Sequence, residues 1–125
     1  MEQKFLRCSV CGNILTPVVD SGVPVMCCGK KMEALVPGTV DASHEKHIPV
    51  YEVENNHVNV KVGSVEHPMV DVHYIQWIAV QTNQGIHIKY LKPNQAPAAC
   101  FSLCENETLE AVYEYCNLHG LWVDK

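Results

Sequence analysis

Hydrophobic and polar residues alternate strictly over positions 57–62, where Val58, Val60 and Val62 are interleaved with His57, Asn59 and Lys61. Successive side chains of a strand point to opposite faces, so this period of two predicts a strand with one buried face. A second alternation sets Ile75, Trp77 and Ala79 against Tyr74, Gln76 and Ile78, and after Gly85 the run IHIKYL begins another strand. Strands at short intervals, separated by Gly, Pro and Asn, predict an antiparallel β-sandwich over residues 38–125. Residues 105–115, ENETLEAVYEY, are ambiguous. Thr108 and Glu110-Ala111 permit a helical turn, whereas the valine and the tyrosines suit a strand.

Residues 1–37 follow a different pattern. They are rich in turns, at Cys11-Gly12-Asn13, Ser21-Gly22 and Cys28-Gly29, and their apolar stretches are short: Ile14-Leu15 and Val23 to Met26. A segment of this size buries too little surface to fold unaided and needs a metal or a partner. Pro37-Gly38 breaks the chain and the polar stretch TVDASHEK follows, which places a domain boundary between residues 37 and 38. There is no internal repeat and no low-complexity tract.

Composition narrows the class. Of 125 residues, 47% are hydrophobic and 18% charged, ordinary proportions for a globular chain. No apolar run approaches the roughly 18–20 residues of a membrane span. The opening MEQKFLRCSVCG lacks the continuous apolar segment of a signal peptide, so a cytoplasmic location is expected. A net charge of −5 without a lysine or arginine cluster argues against nucleic acid and anionic membranes as partners. The unusual feature is seven cysteines and seven histidines. In a reducing compartment that density points to metal, and an odd number of cysteines suits a disulfide framework poorly.

Two constellations carry the chemistry. Cys8-x2-Cys11 is a metal knuckle, and Cys27-Cys28 is a rarer adjacent pair whose side chains normally diverge. Four thiolates in a tetrahedron suit zinc or iron, and spacing does not choose between them. Cys116 stands three residues before His119 in YCNLHG, with no second cysteine pair near it, so histidines from elsewhere must complete any site there. His57 is out of phase with the valines and His87 shares a face with Lys89, which predicts exposure for both. His73 is in phase with Ile75 and Trp77 on the expected inner face, where a neutral histidine needs a partner and a metal supplies one. His67 precedes Pro68, which restricts it to extended backbone, and His47 stands two before Pro49, where the strand VYEVE begins. Cys100 and Cys104, in AACFSLCE, lie on one face at i and i+4. They read as free buried cysteines acting as small apolar residues, in preference to a third metal or redox site.

Taken together, CSVCG with the adjacent CCG, EKHIP, KVGSVEHPM and EYCNLHGLW resemble the desulfoferrodoxin family, the two-iron form of superoxide reductase, over essentially the whole chain. The resemblance implies a desulforedoxin-like domain (1–37) holding a mononuclear iron by Cys8, Cys11, Cys27 and Cys28, with zinc as a possible substitute. It implies an immunoglobulin-like β-sandwich (38–125) carrying a catalytic iron. There His47, His67, His73 and His119 would be equatorial nitrogens and Cys116 the axial thiolate, with one position open. His44, His57 and His87 have no ligand role in that pattern, and Cys100 and Cys104 lie outside it. The implied reaction is one-electron reduction of superoxide to hydrogen peroxide. Lys46 would attract the anion and Glu45 would match the family's mobile carboxylate. Without the resemblance, both read as ordinary solvated loop charges. A rubredoxin-like electron donor and a homodimer are also implied. The rival readings are a non-enzymatic iron electron carrier and a zinc-stabilised binding module.

Overall fold

The computed structural model describes residues 3–40 and 42–125; Met1, Glu2 and Asp41, the last within the polar stretch after the expected boundary, lie outside the described residues. The chain divides into two compact units, Met1–Val36 and Pro37–Lys125.

The first unit is a set of five two-residue strands: β1 (Leu6–Arg7), β2 (Ile14–Leu15), β3 (Met26–Cys27), β4 (Lys30–Lys31) and β5 (Glu33–Ala34). They form a three-stranded sheet in the order β2-β1-β5 and a separate hairpin, β3-β4. The buried apolar residues are Phe5, Leu6, Cys8 and Met32, with Cys27 packed against the last three. At about 1.5–3 kcal/mol per buried apolar side chain, so small a cluster cannot offset the entropy of ordering more than thirty residues.

The second unit opens with a single helical turn, α1 (His44–His47), followed by β6 (Pro49–Glu54), β7 (His57–Val62), β8 (Ile75–Thr82), β9 (Ile86–Tyr90), β10 (Ala98–Ser102), β11 (Leu109–Cys116) and β12 (Gly120–Asp124). Two antiparallel sheets, β10-β7-β6 and β12-β11-β8-β9, pack as an immunoglobulin-like sandwich. Val58, Val60, Val62 and Phe101 of the first sheet meet Ile75, Ile78, Val80, Val112 and Cys116 of the second. The alternation along β7 is as the sequence requires, with His57, Asn59 and Lys61 exposed.

Strand β8 departs from its expected pattern. Ile75 pairs with Cys116 but Trp77 pairs with Tyr115, so the register slips by one residue between them. Such a bulge reverses the facing of every later side chain. Ile78 and Val80 therefore join Ile75 in the core. Trp77 and Ala79 turn to the opposite face, where Trp77 stacks on Tyr115 with ring centroids 5.7 Å apart at 6°. The ambiguous segment 105–115 resolves as strand from Leu109 onward, because β11 is hydrogen-bonded on both sides, to β8 and β12.

Two further expectations are corrected. Cys100 and Cys104 are exposed, not buried. Phe101 supplies the inward side chain of β10, which leaves Cys100 facing out, and Cys104 lies beyond the strand's end. His87 is half-buried, because its ring reaches the Glu107 carboxylate at 2.9 Å. Among the described residues no helix is long and apolar enough to cross a membrane.

Candidate metal centres

The donors of the second unit come from four separate places in the chain. His47 ends α1, where the helix stops because Ile48, preceding Pro49, takes an extended conformation (φ −69°, ψ 120°). His67 and His73 lie on the long connection from β7 to β8, and His73 is fixed by two main-chain hydrogen bonds with Val70, each 3.0 Å. Cys116 closes β11, and His119 sits in the tight turn into β12, just before Gly120 at φ +78°. One ligand atom from each of His47, His67, His73, Cys116 and His119 lies within 4.8 Å of every other.

The cluster's nitrogens are not all partnered. The Nδ1–H of His47 donates to the Ser43 carbonyl at 2.7 Å, and that of His67 to the Pro68 carbonyl at 2.6 Å. These bonds leave both Nε2 atoms as lone pairs, yet the two Nε2 atoms face one another at 3.1 Å. His47 Nε2 also lies 2.9 Å from His119 Nδ1. The Nε2 of His73 is buried with no partner. Converging lone pairs repel unless a proton or a cation lies between them. Protonation is disfavoured, since burial holds His67 down to about 4 and also lowers His47 and His73. Burial pushes the Cys116 thiol up, so it too ionises readily only beside a cation. Neutral imidazoles and one thiol are the donor set of a borderline transition metal, and the residues present fit one. The inward donors are Nδ1 at His119 and Nε2 at His47 and His67.

Glu45 and Lys46 stand differently towards this group. The Lys46 charge is close enough to help lower both His47 and His73. Glu45 is exposed, and its carboxylate accepts a 3.4 Å hydrogen bond from the Ser43 hydroxyl. The main chain between them is clamped. The Glu45 carbonyl accepts from Val65 N–H (3.0 Å) and Ser64 Oγ (3.3 Å), and Gly63 N–H donates to the Ile48 carbonyl (3.2 Å). His44 and His57 have no place among the donors; His57 bonds Ser102 Oγ at 3.2 Å, and His44 meets the edge of Trp122.

The first unit brings Cys8, Cys11, Cys27 and Cys28 together with all four sulfurs within 4.8 Å. Cys28 adopts a left-handed conformation (φ 53°), which breaks the usual divergence of adjacent side chains and lets both members of the pair converge. The amides of Cys11 and Val10 point at the Cys8 sulfur, 3.5 and 3.4 Å away, and lower that thiol to about 6. Sharing protons with the thiols of Cys11 and Cys8 pushes Cys28 up to about 12. A ready thiolate at Cys8 beside the reluctant thiols of Cys27 and Cys28 is a set that a tetrahedral cation would discharge.

A family model described as Desulfoferrodoxin matches residues 39–125. The chain belongs to the desulfoferrodoxin family. A desulfoferrodoxin of Syntrophotalea carbinolica is 47% identical over 116 residues, covering 93% of this chain and 90% of that one. A desulfoferrodoxin homolog of Archaeoglobus fulgidus is 45% identical, covering 93% and 91%. Among solved structures, the superoxide reductase from Treponema pallidum aligns over the full length of both chains with a TM-score of 0.84 and 41% identity. A one-iron superoxide reductase from Giardia intestinalis aligns over 64% of this chain and 95% of its own, with a TM-score of 0.56 and 30% identity.

In this desulfoferrodoxin-family chain, sequence reasoning singled out the donors but missed the residues that hold them. Ser43 orients His47 through its carbonyl, Gly63 accommodates the clamp, and Trp122 lies against His47. Gly63 and Trp122 fall inside the runs KVGSVEHPM and EYCNLHGLW, which was the available signal.

Proposed function

We propose that this chain is a superoxide reductase, converting superoxide, one electron and two protons into hydrogen peroxide. On this reading the sandwich, residues 38–125, holds a catalytic iron through His47, His67, His73, His119 and Cys116. Residues 1–37 hold a second iron through Cys8, Cys11, Cys27 and Cys28, a site that would also accept zinc. The observation that carries the reading is the convergence of four imidazoles and one thiol, with the hydrogen bonding of His47 and His67 leaving their two Nε2 lone pairs facing one another. The likeness to the Treponema protein named a superoxide reductase, at full coverage, supports the substrate.

When bound there, ferrous iron supplies the electron and a coordination position for the anion. The chain's own residues do the rest. The protein carries a net charge of −5 and repels an anion at a distance, so a local cation is needed at the mouth, and Lys46 is that cation. Its ammonium also orients the water that passes a proton to the departing peroxide. Glu45, resting on Ser43 Oγ, is the movable carboxylate that returns to the centre between turnovers. Cys11 and Cys28 are exposed, which suits electron entry from a small rubredoxin-like donor. Exposed Val18, Val19 and Val23, beside so small a core, support a homodimer built through the first unit. A reducing, cytoplasmic location accords with Cys100 and Cys104, exposed thiols outside both donor sets.

Metal analysis combined with anaerobic stopped-flow mixing with superoxide tests the proposal. Two irons per chain, with peroxide formed and no dioxygen released in the same turnover, are expected. Two irons without reaction would leave an electron carrier. Lys46→Ile should slow the second-order reaction and flatten its salt dependence, and unchanged kinetics would remove the steering role. Glu45→Ala should leave that reaction fast while altering the oxidised spectrum; an unaltered spectrum counts against its return to the centre.

A further inference from the structure

Two of the ligand-bearing segments meet on one side chain. Trp122, in β12, is 2% exposed. Its ring lies along the His47 imidazole, with centroids 5.1 Å apart at 28°, and its indole N–H donates to the main-chain carbonyl of His119 at 3.0 Å. The ring of His44 closes against it edge-on, at 5.2 Å and 72°. His47 and His119 are 72 positions apart in the chain, and neither contact uses a nitrogen that faces the other donors.

We propose that Trp122 is a positioning residue of the second metal centre, a splint that fixes the plane of the His47 ring and the placement of His119 before the metal arrives. The inference rests on the reading of the five donors as a metal centre. The hydrogen bond from His47 Nδ1 to the Ser43 carbonyl restrains that ring at one edge. Stacking on a buried indole supports its face as well. His119 presents Nδ1, which lies one bond nearer the main chain than Nε2 does, so any displacement of its peptide passes directly to the donor. The indole N–H fixes that peptide. Groups that orient metal ligands in this way, without touching the metal, set affinity by roughly 10–100-fold.

A tryptophan that merely fills space would lower stability when changed and leave the coordination sphere alone. Cobalt(II) distinguishes the two roles, because its ligand-field bands report donor geometry directly. The full chain, given one equivalent of zinc to fill the four-thiolate site and then titrated with cobalt(II), is compared with Trp122→Phe, Trp122→Leu and Trp77→Phe. Trp77 stacks on Tyr115 and serves as the control for loss of a buried indole. Phenylalanine keeps the stack and loses the N–H, so about a tenfold loss of cobalt affinity with shifted bands is expected. Leucine loses both contacts and should approach a hundredfold, while Trp77→Phe should leave bands and affinity as in the wild type. Should the leucine variant not fold, the phenylalanine variant decides alone. Affinity within twofold of the wild type and unshifted bands in Trp122→Phe, with a lowered melting temperature, would overturn the splint. A wild type that shows no cobalt bands from a histidine-thiolate set would overturn the metal centre, and the splint with it.

Discussion

Replacing Gly63 with alanine should damage the second unit well beyond what one methyl group suggests. Gly63 has φ +83°, a region that costs an alanine roughly 1–2 kcal/mol. An added Cβ would also collide with the Val65 carbonyl oxygen and lie 2.7 Å from the Glu45 carbonyl oxygen and 2.8 Å from the Lys46 carbonyl carbon. All three are main-chain atoms, so no rotamer change relieves the clash. The loop must retreat, and two hydrogen bonds go with it, Val65 N–H to the Glu45 carbonyl and Gly63 N–H to the Ile48 carbonyl. Each contributes about 0.5–1.5 kcal/mol net. The expected loss is about 2–5 kcal/mol, which for a unit of this size lowers the melting temperature by at least about 10 °C. Scanning calorimetry should show that fall, with weakened metal binding at the histidine cluster, because α1 carries His47 and loses its anchor. Gly85→Ala is the control, since a Cβ there meets nothing within 4 Å, and it should melt no lower than the wild type and up to a few degrees higher. If Gly63→Ala melts alongside Gly85→Ala and binds metal equally well, the clamp contributes nothing.

Other perturbations address other parts of the chain. Glu107 is held down to about 2, from an ordinary value of 4.5, by the Thr82 hydroxyl (2.6 Å), His87 (2.9 Å) and the Cys104 amide (2.9 Å). A depressed carboxylate contributes stability that is fully present above about 4.5 and is lost as pH falls towards about 2. Glu107→Gln should therefore be less stable than the wild type near neutrality, and the two urea midpoints should converge between pH 4.5 and 2; parallel curves would refute this. If the four-thiolate site holds metal as proposed, chelation should remove amide-exchange protection from the first unit, whose buried apolar residues are Phe5, Leu6, Cys8 and Met32, while the sandwich keeps its own. Persistent protection over residues 3–36 would show that the small core suffices.

Much of the fold was written in β7, because a strand with one wet face has no freedom to hide its period. Strand β8 was harder to read. It is hydrogen-bonded on both sides and buried on both faces, so apolar residues occupy both phases and the bulge before Trp77 leaves no polar mark. The exposure of Cys100 was available in principle from its neighbour Phe101, which must point inward if either does. The donor residues were legible through their chemistry and their motifs. The roles of Gly63, Ser43 and Trp122 were not, because they lie in space next to a carbonyl, in a main-chain oxygen and in a contact with the distant His47, none of which a local string encodes even where it contains the residue.

The spread of donors along the chain also sets a timetable. The four thiols lie between positions 8 and 28, inside a unit that closes on itself, so a ribosome that has released the first few dozen residues has already exposed a complete site. The histidine cluster cannot exist until residue 119 has emerged and β11 has paired with β8. On the proposed reading, the thiols would take their metal during synthesis and the histidines theirs only in the finished sandwich. The two sites would then draw on the cell's metal pool at different moments and in different states of the chain, the first as a condition of folding and the second as its consequence.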